Sequence, residues 1–71
     1  MEVLIFKTNI RYKKHIKAIE QHIANQPGII KWNVDLKDVD KVLRIVTPGL
    51  HPAKIEGLVK RAGYMCEELK D

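Results

Sequence analysis

The stretch Ile30-Lys31-Trp32-Asn33-Val34-Asp35-Leu36-Lys37-Asp38-Val39-Asp40-Lys41-Val42-Leu43-Arg44-Ile45-Val46-Thr47 decides the fold. Ile30, Trp32, Val34 and Leu36 alternate with Lys31, Asn33 and Asp35, the period of two that marks a half-buried strand. Lys37 to Lys41 reads as a charged turn. Val42 to Thr47 is again rich in β-branched residues, so the two runs are expected to pair as a hairpin.

Both flanks of the hairpin change period. On the N-terminal side Pro27-Gly28 stops a helix predicted over Arg11 to Gln26. Tyr12, Ile16, Ile19 and Ile23 form its apolar stripe, and Lys13, Lys14, Lys17, Gln21 and Asn25 its wet side. Asn9 is the expected N-cap, and before it residues 2 to 8 alternate as a strand. On the C-terminal side Pro48-Gly49 breaks the hairpin, and Pro52 suits the first turn of a second helix. Ile55, Leu58, Val59 and Ala62 make its stripe, Gly63 its C-cap, and Tyr64 to Leu69 a short last strand.

The order strand, helix, strand, strand, helix, strand predicts an α+β fold: a ferredoxin-like βαββαβ sandwich of split βαβ type. Right-handed crossovers give one four-stranded antiparallel sheet, order 4-1-3-2, with two helices on one face. This topology gathers Asn9 to Lys14, Lys37 to Lys41 and Ala62 to Tyr64 at one end. Asn25 to Gly28 and Thr47 to Pro52 lie at the other.

Size and charge narrow the reading. The chain has 71 residues and 45% hydrophobic content, enough for one small domain over residues 1–71 and too little for two. No apolar run approaches the roughly 20 residues of a membrane helix, and Met1 to Lys7 lacks the basic n-region of a signal peptide. The expected location is therefore cytoplasmic. Cys66 is the one cysteine, so no internal disulfide forms. The net charge is +4, and the first 34 residues carry all of it, concentrated in Arg11, Lys13, Lys14 and Lys17. Such a patch reads either as a solvated helix face or as a docking surface for an acidic partner.

The chain resembles the heavy-metal-associated domain of small copper chaperones and metal-pumping ATPases. Pro27-Gly28-Ile29 followed by Trp32, Val34 and Asp35-Leu36 is similar to the family's Pro-Gly-Val … Val-x-Val-Asp-Leu run. Ile55, Leu58, Val59, Ala62, Gly63, Tyr64 and Cys66 match its second helix and the Ala-Gly-Tyr-x-Ala that follows. The resemblance implies Cu(I) or another soft metal ion as cargo, held by a Met-x-Cys-x-x-Cys motif between the first strand and first helix. Here that segment is Ile10-Arg11-Tyr12-Lys13-Lys14-His15: the methionine is Ile10, the first cysteine Tyr12 and the second His15. The two thiolates that suit a soft ion are gone. Phenol and imidazole are harder ligands, and a phenol ionises only near pH 10. The resemblance also places Tyr64 near the metal loop.

Each remaining candidate has a structural reading beside its functional one. His15 is either a loop-packing histidine or the last ligand of the loop. His22 lies about 10 Å further along the helix, and His51 falls at the opposite end, so the three histidines form no common site. Tyr64 is expected to close the core over Tyr12. Cys66 reads as a buried apolar thiol, with Glu67 and Glu68 raising its pKa if anything does. Trp32 is expected to pack beneath a helix. The uncovered sheet face is predicted to carry Val3, Ile5, Val42, Val46, Met65 and Leu69, with Lys7, Arg44 and Glu67 among them. That much apolar surface points to self-association or a partner.

The sequence therefore favours a non-enzymatic binding module with a degenerate metal loop and weak or no Cu(I) binding. Its partner would be an acidic protein met through Arg11, Lys13, Lys14 and Lys17, or a second copy forming a homodimer. The alternative is a metal carrier using His15 with Tyr12, Tyr64 or a second chain. RNA-binding sheets of this class display stacking aromatics on the open face, and none is predicted there. No paired carboxylates, activated nucleophile or phosphate-binding loop supports an enzyme.

Overall fold

A computed structural model describes residues 1–69 of the chain. Its elements run β1 (Glu2–Thr8), α1 (Lys13–Ile23), β2 (Lys31–Asp35), β3 (Val42–Thr47), α2 (Pro52–Arg61) and β4 (Cys66–Glu68). The four strands form one antiparallel sheet in the order β2-β3-β1-β4, the expected topology read from the other edge. The register places Leu4 beside Ile45, Phe6 beside Leu43 and Trp32 beside Ile45 on the helix-covered face. Ile19 and Ile23 of α1 and Ile55, Leu58 and Val59 of α2 close over them. Trp32 is half-buried against this core, as expected.

Side chains close the two ends. At one, Gly28 has φ 93, a backbone region open to glycine, and it lies against Leu50. His51 caps α2 there, its Nδ1 accepting from the Ala53 N–H at 3.1 Å. At the other end α2 stops in a Schellman turn. Gly63, at φ 96, donates to the Lys60 carbonyl at 3.0 Å, and Tyr64 donates to that of Val59 at 3.2 Å. The Glu68 N–H donates to Oε2 of Glu56 at 3.0 Å and ties β4 to α2.

Several expectations need correction. α1 begins at Lys13, two residues later than expected, and ends at Ile23. Its N-cap is Tyr12 in extended conformation, with no side-chain cap bond, rather than Asn9. The Asn9 Oδ1 instead accepts the Met65 N–H at 2.9 Å. Tyr12 is 58% exposed and so does not continue the buried stripe. β2 is shorter than expected at both ends, and Ile30 is exposed while its neighbour Ile29 packs on the core. β4 starts at Cys66, which leaves Tyr64 and Met65 in the preceding loop.

One residue of the expected open face is buried. Val3 and Met65 are exposed and Leu69 narrowly so, Ile5 and Val46 are half-buried, and Val42 is buried at 5%. Val42 pairs with Asp35 in β2 and stands one step beyond the Phe6–Leu43 pair, which brings Lys7 to its other side. The Lys7 ammonium reaches the Asp40 carboxylate at 3.8 Å beside this corner, while the lysine side chain itself stays more than half exposed.

Candidate functional site

The β1–α1 loop, the β2–β3 turn and the α2–β4 loop meet at one end of the sheet, and Thr8 holds two of them together. It is buried at the last position of β1. Its hydroxyl donates to the Lys41 carbonyl at 2.6 Å and accepts the Ile10 N–H at 3.2 Å, while its own N–H donates to the Asp40 carbonyl at 3.0 Å. Ile10 is completely buried and pegs the loop into the core. Asn9 ties in the third segment through Met65.

The β2–β3 turn is similarly self-supported. Asp38 Oδ1 accepts the Asp40 N–H at 2.8 Å, and Asp35 Oδ1 accepts the Lys37 N–H at 3.0 Å. Lys41 sits at φ 48, costly for a side chain with a Cβ. Its ammonium donates to the Leu36 carbonyl at 2.7 Å, which helps hold that conformation.

Three rings stack on this base. The His15 centroid is 5.1 Å from that of Tyr12, edge-on at 68°, and 5.1 Å from that of Tyr64, tilted at 46°. Such edge and tilted contacts satisfy the ring quadrupoles. Tyr64 therefore packs on His15, which stands between it and Tyr12, rather than directly over Tyr12. The His15 Nδ1 accepts the Arg11 N–H at 3.2 Å. In the neutral ring this leaves the proton on Nε2.

The two remaining histidines stand apart. His22 bonds the Ala18 carbonyl through Nδ1, and His51 is the α2 cap. Cys66 is buried beside Thr8 in the sheet. Its thiol is pushed up to about 12, by burial first and the Glu56 carboxylate second, with Lys60 acting in the opposite sense. The acid responsible is thus Glu56 on α2, not the neighbouring Glu67 or Glu68. Among the described residues, no group of three or more His, Cys, Asp or Glu is placed to hold a metal ion.

Cations surround the rings. Arg11, Lys13, Lys14 and Lys17 are all exposed, and among the described residues the only ion pair is Lys7–Asp40. The Lys14 ammonium lies 5.7 Å from the centroid of the Tyr12 ring, a cation–π contact. The first turn of α1 holds no acid and lacks a side-chain cap, so its N–H dipoles add to the positive field. A groove of about 560 Å³, lined by Thr8, Asn9, Arg11, Tyr12, Val39 and Lys41, opens beside them. Sequence reasoning missed Thr8 and Val39. Thr8 looked like one more strand residue, and its role rests on a bond to a residue 33 positions away. Val39 did leave a signal, as the one apolar residue in the charged turn.

No protein-family model matches the chain, and no curated protein matches it in sequence. Solved structures match it in shape. The yeast copper transporter domain Ccc2A, determined in apo and Cu(I)-loaded states, aligns over 100% of this chain and 99% of its own, at TM-score 0.84 and 16% identity. The N-terminal domain of PacS from Synechocystis covers 99% of this chain and 100% of its own, at TM-score 0.83 and 22% identity.

The chain has the heavy-metal-associated fold. The N-terminal domain of ZntA in its Zn(II) form shares it at TM-score 0.80 and 14% identity, over 96% of this chain and 92% of its own. At these identities the likeness is one of fold. Within the heavy-metal-associated fold of this chain, the segment between β1 and α1 is Asn9 to Tyr12, and His15 stands in the first turn of α1. The segment is closed by a buried aliphatic peg, a ring stack and a backbone-to-imidazole bond. No helix here is long and apolar enough to cross a membrane among the described residues.

Proposed function

We propose that this chain is a non-enzymatic protein-docking module built on the heavy-metal-associated fold, with a loop that has left soft-metal chemistry. The observation that carries this reading is the engagement of His15, whose Nδ1 already accepts the Arg11 N–H while its ring is packed between Tyr12 and Tyr64. Ligation through Nε2 requires the proton to move to Nδ1, which then faces the Arg11 N–H donor to donor. The other groups at hand, two phenols, fit a soft ion poorly. Cys66 is buried with its thiol held protonated, so it supplies no thiolate at neutral pH. These residues do not fit a two-thiolate Cu(I) site.

The same loop end supports docking. Arg11, Lys13, Lys14 and Lys17 lack carboxylate partners among the described residues, and the uncapped α1 N-terminus points the same way. An acidic protein surface is the complement of that field.

Titration of ¹⁵N-labelled protein with Cu(I), and separately with Zn(II), against a competing chelator tests the loss of metal chemistry. The expected result is no amide shift that survives the chelator. Chelator-resistant shifts localised at Tyr12, His15 and Tyr64 would restore the metal-carrier reading. A parallel titration with polyglutamate tests docking: shifts at Lys13 and Lys14 are expected, and they should vanish in the Lys13→Glu/Lys14→Glu variant. Unchanged shifts in that variant overturn the docking role.

A further inference from the structure

The basic loop end also carries apolar side chains that the core does not use. Val39 is 90% exposed, Met65 69% and Tyr12 58%. Val39 and Tyr12 line the groove together with Arg11 and Lys41. Met65 stands beside it, its N–H bound to Asn9, which lines the same groove. Val39 belongs to a turn whose other members, Lys37, Asp38, Asp40 and Lys41, are all charged, and it is not part of the core cluster.

Resting on the docking reading above, we propose that this groove receives an apolar side chain of the acidic partner. The target is then a protein segment in which carboxylates flank one aliphatic or aromatic residue. The two halves of the site do different work. Exposed cations at a rim steer encounter and contribute little affinity. A buried apolar anchor in a formed pocket contributes most of it. Here the rim is Arg11, Lys13 and Lys14, and the pocket lies between Tyr12 and Val39.

The walls of the groove are fixed before any partner arrives. The Thr8 hydroxyl bonds the Lys41 carbonyl, Asp38 bonds the Asp40 N–H, and His15 bonds the Arg11 N–H. Preformed walls spare a partner the cost of ordering them. A second copy is a poor occupant, because docking the same end against itself opposes two sets of unpaired cations. Nucleic acid is also disfavoured. Single strands bind on several stacking aromatics, whereas Tyr12 is the one aromatic among the described residues that line this groove, and Val39 and Met65 give bases and phosphates no hydrogen bond.

The test is selection from a display library of random peptides of roughly 12 residues, long enough to fill one groove and its rim. Enriched peptides are expected to combine two or more acids with a central aliphatic or aromatic residue. Replacing that central residue with Ser, or introducing Val39→Ser into the protein, should weaken binding about tenfold or more, the expected value of one buried aliphatic side chain. Enrichment of acidic peptides without a central apolar residue, insensitive to Val39→Ser, overturns the anchor while leaving acidic docking in place. Enrichment without acids, or insensitive to Lys13→Glu/Lys14→Glu, overturns the docking reading itself. No enrichment above background overturns both, as does binding confined to an oligouridylate control. Val39 is almost fully exposed, so its substitution leaves the fold intact.

Discussion

The backbone N–H of Arg11 donates to Nδ1 of His15 across one turn of chain, at 3.2 Å. The imidazole thereby closes the loop that precedes α1, where Tyr12 provides no side-chain cap. Long-range ¹⁵N–¹H correlation of the neutral ring should show the proton on Nε2. His15→Phe keeps an aromatic ring between Tyr12 and Tyr64 but removes the acceptor. Amide exchange at Arg11 should then accelerate about tenfold, the cost of one hydrogen bond. A ring protonated at Nδ1, or unchanged exchange, contradicts the bond.

Thr8 satisfies both loops from a buried position. Thr8→Val preserves shape but leaves the Lys41 carbonyl and the Ile10 N–H without their partner. The expected loss is about 1–3 kcal/mol, the cost of buried groups left unsatisfied. A urea midpoint equal to that of the unaltered protein would show that water replaces the hydroxyl without cost.

Cys66 makes stability depend on alkaline pH. Its folded thiol ionises near 12 against an ordinary value of 9.0. Below pH 9 both folded and unfolded thiols are protonated, and the group's contribution is fully present. Between about pH 9 and 12 only the unfolded chain releases the proton, so stability falls as pH rises. The stability difference between the unaltered protein and Cys66→Ala should shrink across that window. A constant difference would refute the shift.

Gly28 and Gly63 share a positive φ but not a neighbourhood. A Cβ at Gly28 would lie 3.1 Å from Leu50 Cγ, whereas at Gly63 it would meet nothing within 4 Å. Gly63→Ala should cost about 1 kcal/mol through backbone strain alone. Gly28→Ala should cost more, because Leu50 must also move. Equal thermal shifts for the two variants would contradict this ordering.

Element order, sheet topology and the helix-covered face were legible because local patterns encode them. Alternation marked β2 and β3, Pro52 and Gly63 bounded α2, and Trp32 lay on the buried side of its strand. What escaped were features set by long-range bonds. Asn9 looks like a helix cap in isolation, but its side chain is claimed by Met65, 56 residues away. The start of α1 moves to Lys13 because Ile10 is drawn into the core while Tyr12 stays extended. Val42 has the alternation of an open-face residue, yet it is buried at the corner where Lys7 reaches across to Asp40. Of the site, the nearness of Tyr64 to the loop before α1 followed from topology, but the expected contact of Tyr64 with Tyr12 is replaced by one with His15. The Arg11 bond and the exposure of Val39 depended on loop conformation, which no periodicity records.

The bond from Glu68 to Glu56 also bears on how the sheet meets other chains. β4 is an edge strand three residues long, and Glu68 directs its N–H away from β1, since the Leu69 N–H takes the Ile5 carbonyl. That outward donor would ordinarily invite a foreign strand to add on. Glu56 occupies it with a carboxylate, which repels an approaching backbone carbonyl. This border thereby loses one of the donors that growth of the sheet would use. At the opposite border, β2, Lys31 and Asp35 place charge at both ends of the edge, a second obstacle to strand addition.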